Sequence, residues 1–263
     1  MRSICADLAA EHDDLDALVS GLADSQWRIE TPSPGWAVRD QISHLWFFDQ
    51  RAVMALTDVD AFTADVEWLL TNGGTDASVE PGRSIEPGEL LHQWRDDRRR
   101  LIDVASTLEP STRVPWYGPA MAARSFITAR LMETWAHGQD VADALGVVRQ
   151  PSARLRHVAH LGVRARPFSY AIHNMALPAV DVAVRLSGPD GELWEWSVPD
   201  GGTAENTVSG PALDFCLVVT QRRHLADTRL NVVGEAAAEW IAIAQTFAGA
   251  PGVGRRPGEF TDR

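Results

Sequence analysis

Residues 120–145 read AMAARSFITARLMETWAHGQDVADAL. Phe126, Ile127, Leu131, Met132 and Trp135 recur at helical spacing and Gly146 follows, so the stretch predicts one long helix with a glycine stop. Glu133 and His137 lie four apart within it, which stacks their side chains on one face, a turn apart. Three more stretches carry the same period. Residues 3–22 set Ile4, Leu8, Leu15, Leu18 and Leu22 on one stripe. Trp36 to Thr57 carries Val38, Ile42, Leu45, Trp46 and Phe48, with Asp58 to Asp60 as its exit. Glu89 to Leu108 carries Leu90, Leu91, Trp94, Leu101, Ile102 and Val104. The connections hold the punctuation: Pro32, Pro34 and Gly35, then a Gly/Pro/Ser-rich loop from Gly73 to Pro87, then Pro110 to Pro115. Four long antiparallel helices joined in this way specify a bundle. A further helix is expected over Ala153–Ile172.

After Pro178 the period changes from helical to two. Val180 to Leu186 and Leu193 to Val198 both alternate, and Gly188-Pro-Asp-Gly191 between them is a turn signal, so the pair predicts a hairpin. Thr207 to Ser209 and Arg229 to Val233 add strands, and Pro211 to Thr220 and Ala236 to Ala248 add helices. The expected organisation is a helical domain over 1–177 followed, across a linker near Ala176 to Ala179, by a small α+β domain over 178–263.

Composition removes several function classes. The chain has 263 residues, 45% hydrophobic and 23% charged, the balance of an ordinary globular protein, with a formal net charge of -12. Such a charge repels phosphates, so nucleic acid is not an expected partner. The one basic cluster, RDDRRR at 95–100, is interleaved with Asp96 and Asp97 and reads as a solvated helix face. No apolar run reaches the roughly 18 residues of a membrane span. The first residues turn acidic without the form of a signal peptide, so a cytoplasmic location is expected. There is no lysine, which excludes Schiff-base chemistry and a Walker A loop. Cys5 and Cys216 form no CxxC pattern and read as small core residues. The oligomeric state is not legible.

Three residues stand out for chemistry. His44 sits mid-helix among Leu45, Phe47 and Phe48; if its helix packs on the one bearing Glu133 and His137, two imidazoles and a carboxylate meet inside the bundle, as bundle metal sites require. Two histidines and a carboxylate suit Zn²⁺, with Ni²⁺, Fe²⁺ or Mn²⁺ as alternatives, and leave a coordination position open. By spacing alone, Glu133 and His137 read as a salt-linked surface pair and His44 as a satisfied core histidine, so the trio is a weak signal without more. Asp40, four before His44, competes as a ligand, and Asp140 is a candidate to orient His137. His157 and His160 share a helix face but lack carboxylate partners nearby. Gly252-Val-Gly254 misses the dinucleotide fingerprint, and there is neither a G-x-S-x-G elbow nor an HExxH motif.

The segment Ser33–Leu45 (SPGWAVRDQISHL), taken with Glu133-Thr-Trp-Ala-His137-Gly-Gln-Asp140, closely resembles the mycothiol-dependent maleylpyruvate isomerase family, actinobacterial members of the DinB-like metal-binding bundles. The resemblance covers about residues 1–170, and the C-terminal part resembles the sterol-carrier-like domain many of these proteins carry. It implies a DinB-like four-helix bundle followed by a sterol-carrier-like α+β domain, with His44, Glu133 and His137 as metal ligands and mycothiol or a related thiol as co-substrate. The implied activity is isomerisation of, or thiol transfer to, a small electrophile. It also implies a catalytic arginine in the C-terminal domain. Arg222 is the candidate, with Arg223 in reserve, although Gln221 stands where relatives commonly have glycine. Ala37 departs too, where relatives commonly have a capping Ser or Thr. Two other readings remain: a hydrolase or lyase in which the metal activates water, and a non-catalytic metal-containing protein that binds small molecules.

Overall fold

A computed structural model describes residues 1–71, 74–196 and 205–260. The chain divides into two compact units, Met1–Arg149 and Gln150–Arg263.

In the first unit, α1 (Arg2–Val19), α2 (Val38–Thr57), α3 (Val59–Thr71), α4 (Glu80–Arg83), α5 (Pro87–Ser106) and α6 (Ala123–Leu145) follow one another, with a two-stranded ribbon of β1 (Arg113–Val114) and β2 (Met121–Ala122) before α6. The four long helices are those the apolar period marks. α2 packs on α5 and α6, and α1 packs on the same two. Their stripes meet in a core that includes Leu15, Val19, Ile42, Leu45, Leu90, Trp94 and Val141. Local chemistry sets the ends. α5 begins with Pro87, whose missing N–H costs nothing at a helix start, and α6 stops at Gly146 with φ 68, the left-handed C-cap. Neither α3 nor α4 was marked by a stripe. α4 lies where the sequence predicts only loop, pressed so closely on α2 that a Cβ on Gly82 would collide with Ser43.

The cluster at 95–100 corrects the solvated-face reading in part. Arg99 and Arg100 are exposed, but Arg95 and Arg98 reach Asp16 of α1 in charge-assisted bonds of 2.6 and 2.7 Å. Below them a polar layer crosses the core. Arg130 of α6 binds Asp49 of α2 at 2.8 Å, both buried, and the Trp94 indole donates to the same carboxylate at 3.2 Å. His12 of α1 lies beside them, 1% exposed, with neither ring nitrogen in a hydrogen bond. Burial drives its pKa well below the ordinary value of 6.5, helped by the charges of Arg98 and Arg130.

The second unit contains α7 (Leu155–Arg164) and α8 (Arg166–Ile172), then β3 (Ala183–Ser187), β4 (Leu193–Trp196), β5 (Thr207–Pro211), α9 (Ala212–Val219), β6 (Asn231–Val233) and α10 (Glu235–Ile243). The sheet order is β4-β3-β5-β6, with β3 and β5 parallel and the other pairs antiparallel. The expected hairpin is β3–β4, turning at Gly191 with φ 84; Ser197 and Val198 lie outside the described residues. The single helix expected over 153–172 is two, because Pro167 cannot continue the ladder and α8 restarts with it in its first turn. α7 packs on α9, and α8 on α10, so both belong by contact to this unit, whereas the sequence drew its boundary at 177/178. Among the described residues, no helix is long and apolar enough to cross a membrane.

Candidate metal centre

α2 and α6 pack side by side and bring His44 to Glu133 and His137. One ligand atom from each lies within 4.8 Å of the other two, and among the described residues this is the one such group of His, Cys, Asp and Glu. The imidazoles face each other with ring centroids 4.5 Å apart. Both histidines are 7% exposed, while the Glu133 side chain keeps 23% of its surface, so the carboxylate is the edge nearest solvent.

Each imidazole is held by its Nδ1. His44 Nδ1 lies 2.8 Å from Ser78 Oγ, and His137 Nδ1 lies 2.5 Å from Gln41 Oε1. That aims His137 Nε2 at Glu133 Oε2, 3.3 Å away. Two neighbouring ligands of a tetrahedral ion at about 2.0–2.1 Å stand at about that separation. Two imidazoles and a carboxylate gathered at this spacing are a donor set that fits a divalent metal.

Aromatic walls enclose the pair. Trp36 stacks on His137 with centroids 5.9 Å apart and planes 14° from parallel, and tilts onto His44 at 5.0 Å. Phe48 closes the other side of His44 at 4.7 Å and leads to Trp116 and Tyr117. The turn that places Trp36 needs Gly35, at φ 77.

Two sequence expectations change. Asp40 is not a ligand: its Oδ2 accepts the Ala37 N–H at 2.8 Å, capping α2, and its Oδ1 meets Arg83 at 2.8 Å. The cap that Ala37 lacks is thus supplied in part from three residues on. Asp140 accepts from Ser33 Oγ at 3.0 Å, while the group on His137 Nδ1 is Gln41. Sequence reasoning missed Gln41, Ser78 and Thr31. Gln41 carried a usable signal, standing three before His44 on the same helix face. Ser78 carried none, because it lies in a short 3-10 turn far along the chain.

Elsewhere the chemistry is sparse. Cys5 and Cys216 are buried free thiols, and burial raises both pKa values, so neither is poised as a nucleophile. His160 accepts from the Trp196 indole at 3.1 Å, and no second metal group forms around it among the described residues. Arg222 is buried in the second unit. Its Nη1 donates to Thr220 O at 2.7 Å, and its guanidinium faces the Phe247 ring. Gln221 before it has φ 59, ending α9 in a Schellman motif: its N–H bonds Val218 O and that of Arg222 bonds Leu217 O.

Comparison with known proteins gives the family and the fold. The family model described as the mycothiol maleylpyruvate isomerase N-terminal domain matches residues 8–142. Two uncharacterised proteins of Mycobacterium tuberculosis, from strains CDC 1551/Oshkosh and ATCC 25618/H37Rv, are each 46% identical over 252 residues, covering 95% of this chain and 97% of theirs. The crystal structure of the mycothiol-dependent maleylpyruvate isomerase is similar in fold, with a TM-score of 0.56 at 16% identity over 84% of this chain and 89% of that one. A histidine-to-alanine mutant of that enzyme gives 0.55 at 15% identity.

Proposed function

This chain belongs to the mycothiol maleylpyruvate isomerase family, and from that premise we propose that it is a metal-dependent enzyme that uses mycothiol, or a related small thiol, on a small electrophilic substrate. The observation that carries the reading is the convergence of His44, Glu133 and His137, with each imidazole held at Nδ1 and a carboxylate facing His137 Nε2. In this reading the long helices of the first unit form a DinB-like bundle, and the second unit is the sterol-carrier-like partner domain.

His44 and His137 would hold the ion as neutral imidazoles, and Glu133 would offset one of its charges. When bound, zinc or a similar divalent ion supplies the Lewis acidity that keeps a thiol in its thiolate form at neutral pH. Three protein ligands leave a position for the thiol. Glu133, the most exposed of them, marks the side from which small molecules arrive. Trp36 and Phe48 exclude water from the histidine faces, which preserves thiolate reactivity toward an electrophilic carbon. Neither protein thiol is suited to that role, which is consistent with a thiol supplied from outside. Loss of the thiol after bond rotation gives isomerisation; retention gives transfer. Arg222 is proposed to neutralise a substrate carboxylate, and its removal is expected to raise KM more than it lowers kcat.

The test is elemental analysis of wild type and His137→Ala, followed by mycothiol titration of the cobalt-loaded protein. Near-stoichiometric metal that disappears in the variant, with a cobalt spectrum that responds to the thiol, is expected. Metal without a thiol response would shift the reading to hydrolytic chemistry, and a metal-free wild type after reconstitution would overturn it.

A further inference from the structure

The two histidines of the site are held differently. The difference begins at Thr31, which touches neither of them. Its hydroxyl lies 2.8 Å from the Trp36 carbonyl and 2.7 Å from Gln41 Nε2. A carbonyl cannot donate, so the single hydroxyl proton of Thr31 lies on the bond to Trp36 O. Thr31 Oγ1 is left to accept, and the Gln41 group facing it must be the NH₂ end. The carboxamide therefore presents Oε1, and not a donor, to His137 Nδ1 at 2.5 Å. A carboxamide oxygen only accepts, so the proton of a neutral His137 must be on Nδ1. The lone pair is then on Nε2, the atom that faces Glu133. Each role is forced by the one before it, starting from a backbone carbonyl whose role cannot change. Gln41 is fully buried and Thr31 nearly so, which keeps water from substituting for either.

At His44 the partner on Nδ1 is the Ser78 hydroxyl, which can take either role, so that bond does not by itself set the tautomer.

We infer that Gln41 is a positioning residue for the metal, and that Thr31 acts through it: the relay Trp36 O–Thr31–Gln41–His137 presets His137 as the tautomer able to bind a cation. The inference rests on the metal reading and deepens it. It also ties the Trp36 wall to the ligand beneath, since the Trp36 carbonyl that fixes Thr31 belongs to the residue whose ring stacks on His137. A carboxamide in this place leaves the charge of the site unchanged, which a carboxylate would not.

Two variants test it. Gln41→Met keeps length and removes both bonds. Thr31→Val is nearly isosteric, contacts no ligand, and frees the carboxamide to turn its NH₂ toward Nδ1. The zinc dissociation constant is measured by chelator competition, and the His137 tautomer by ¹⁵N NMR of the metal-free protein at a pH where the ring is neutral. Gln41→Met is expected to weaken zinc binding by about 10- to 100-fold. Thr31→Val is expected to weaken it less, in the same direction, while the proton spreads over both ring nitrogens. Thermal unfolding of the metal-free variants confirms that they remain folded. A wild type that binds zinc while both variants bind it equally well would overturn the positioning role and leave the metal site standing. An unchanged tautomer in Thr31→Val would do the same. A wild type that takes up no zinc would overturn both.

Discussion

Two polar layers cross the same bundle, and the same helices build them. α2 contributes Gln41 and His44 to one and Asp49 to the other; α6 contributes Glu133 and His137 to one and Arg130 to the other. The Asp49 layer is closed on itself: carboxylate meets guanidinium and indole, and the charges cancel inside the protein. The His44 layer is the open one in composition: its Nδ1 atoms are held, and two imidazoles and a carboxylate, with no arginine among them, bring one ligand atom each within 4.8 Å of the other two. Burying a polar group is costly unless it is paired. We therefore read the layer that supplies its own counter-charge as architecture, and the one that gathers three ligand-type side chains as the proposed cation site. His12, whose ring nitrogens make no hydrogen bond, lies beside the Asp49 layer, whereas His137 is held at Nδ1 by Gln41 with Nε2 facing Glu133.

The largest effect should come from opening the closed layer. Arg130→Met leaves Asp49 as an uncompensated buried charge and is expected to cost about 3–5 kcal/mol in chemical denaturation. The double variant Asp49→Leu/Arg130→Met should recover most of that loss. A loss below about 1 kcal/mol for the single variant would mean the carboxyl is not charged in the fold, and the comparison as drawn would fail. Filling the open layer should have the opposite sign. Zinc at about 100 times its dissociation constant is expected to stabilise wild type by about 2.7 kcal/mol and to leave His137→Ala unchanged. Stabilisation of both would place the ion elsewhere.

A smaller effect separates the layers by pH. The folded-state pKa of His12 lies below its unfolded value, so the unfolded chain takes up the proton first as pH falls. Its contribution is intact above about pH 6.5 and is lost below it, at up to about 1.4 kcal/mol per pH unit until the folded pKa is reached. Asp16, held down by Arg95 and Arg98, weakens stability only at lower pH, below its ordinary value of 3.8. His12→Leu should therefore flatten the stability profile below about pH 6.5 and leave the Asp16 region as it was. Equal slopes in wild type and variant would show that Asp49, Trp94, Arg98 and Arg130 accommodate the charged ring.

Much of this was legible because periodicity reports burial. The stripes of α1, α2, α5 and α6 sit in the core they imply, and Glu133 with His137 shared a face on spacing alone. Less was legible where tertiary contact overrides local pattern. α4 has no stripe because it is four residues long, and a single glycine, Gly82, lets it approach Ser43. Arg98 reads as a surface charge until Asp16 arrives from another helix. Asp40 competed as a ligand, because four-residue spacing cannot tell a side chain that reaches back to cap its own helix from one that points inward. Ser78 was out of reach, since nothing in a loop residue says which histidine it will meet.

The smallest change sharpens the comparison at the boundary of the open layer. Ala37 has the extended backbone of an N-cap, φ -88 and ψ 173, but no side chain that can accept an N–H of the first turn of α2, where the Asp40 N–H bonds the Ala37 carbonyl at 2.9 Å instead. Asp40 already takes the Ala37 N–H, so a serine here would complete a reciprocal box. Ala37→Ser is expected to stabilise the protein by about 0.5–1 kcal/mol. It should do so equally with and without zinc, because the cap lies outside the relay from Thr31 to His137. Thermal unfolding of both forms checks this. A gain confined to the zinc-loaded form would mean that the start of α2 moves with the ligands, and that the capped helix end and the open layer act as one device.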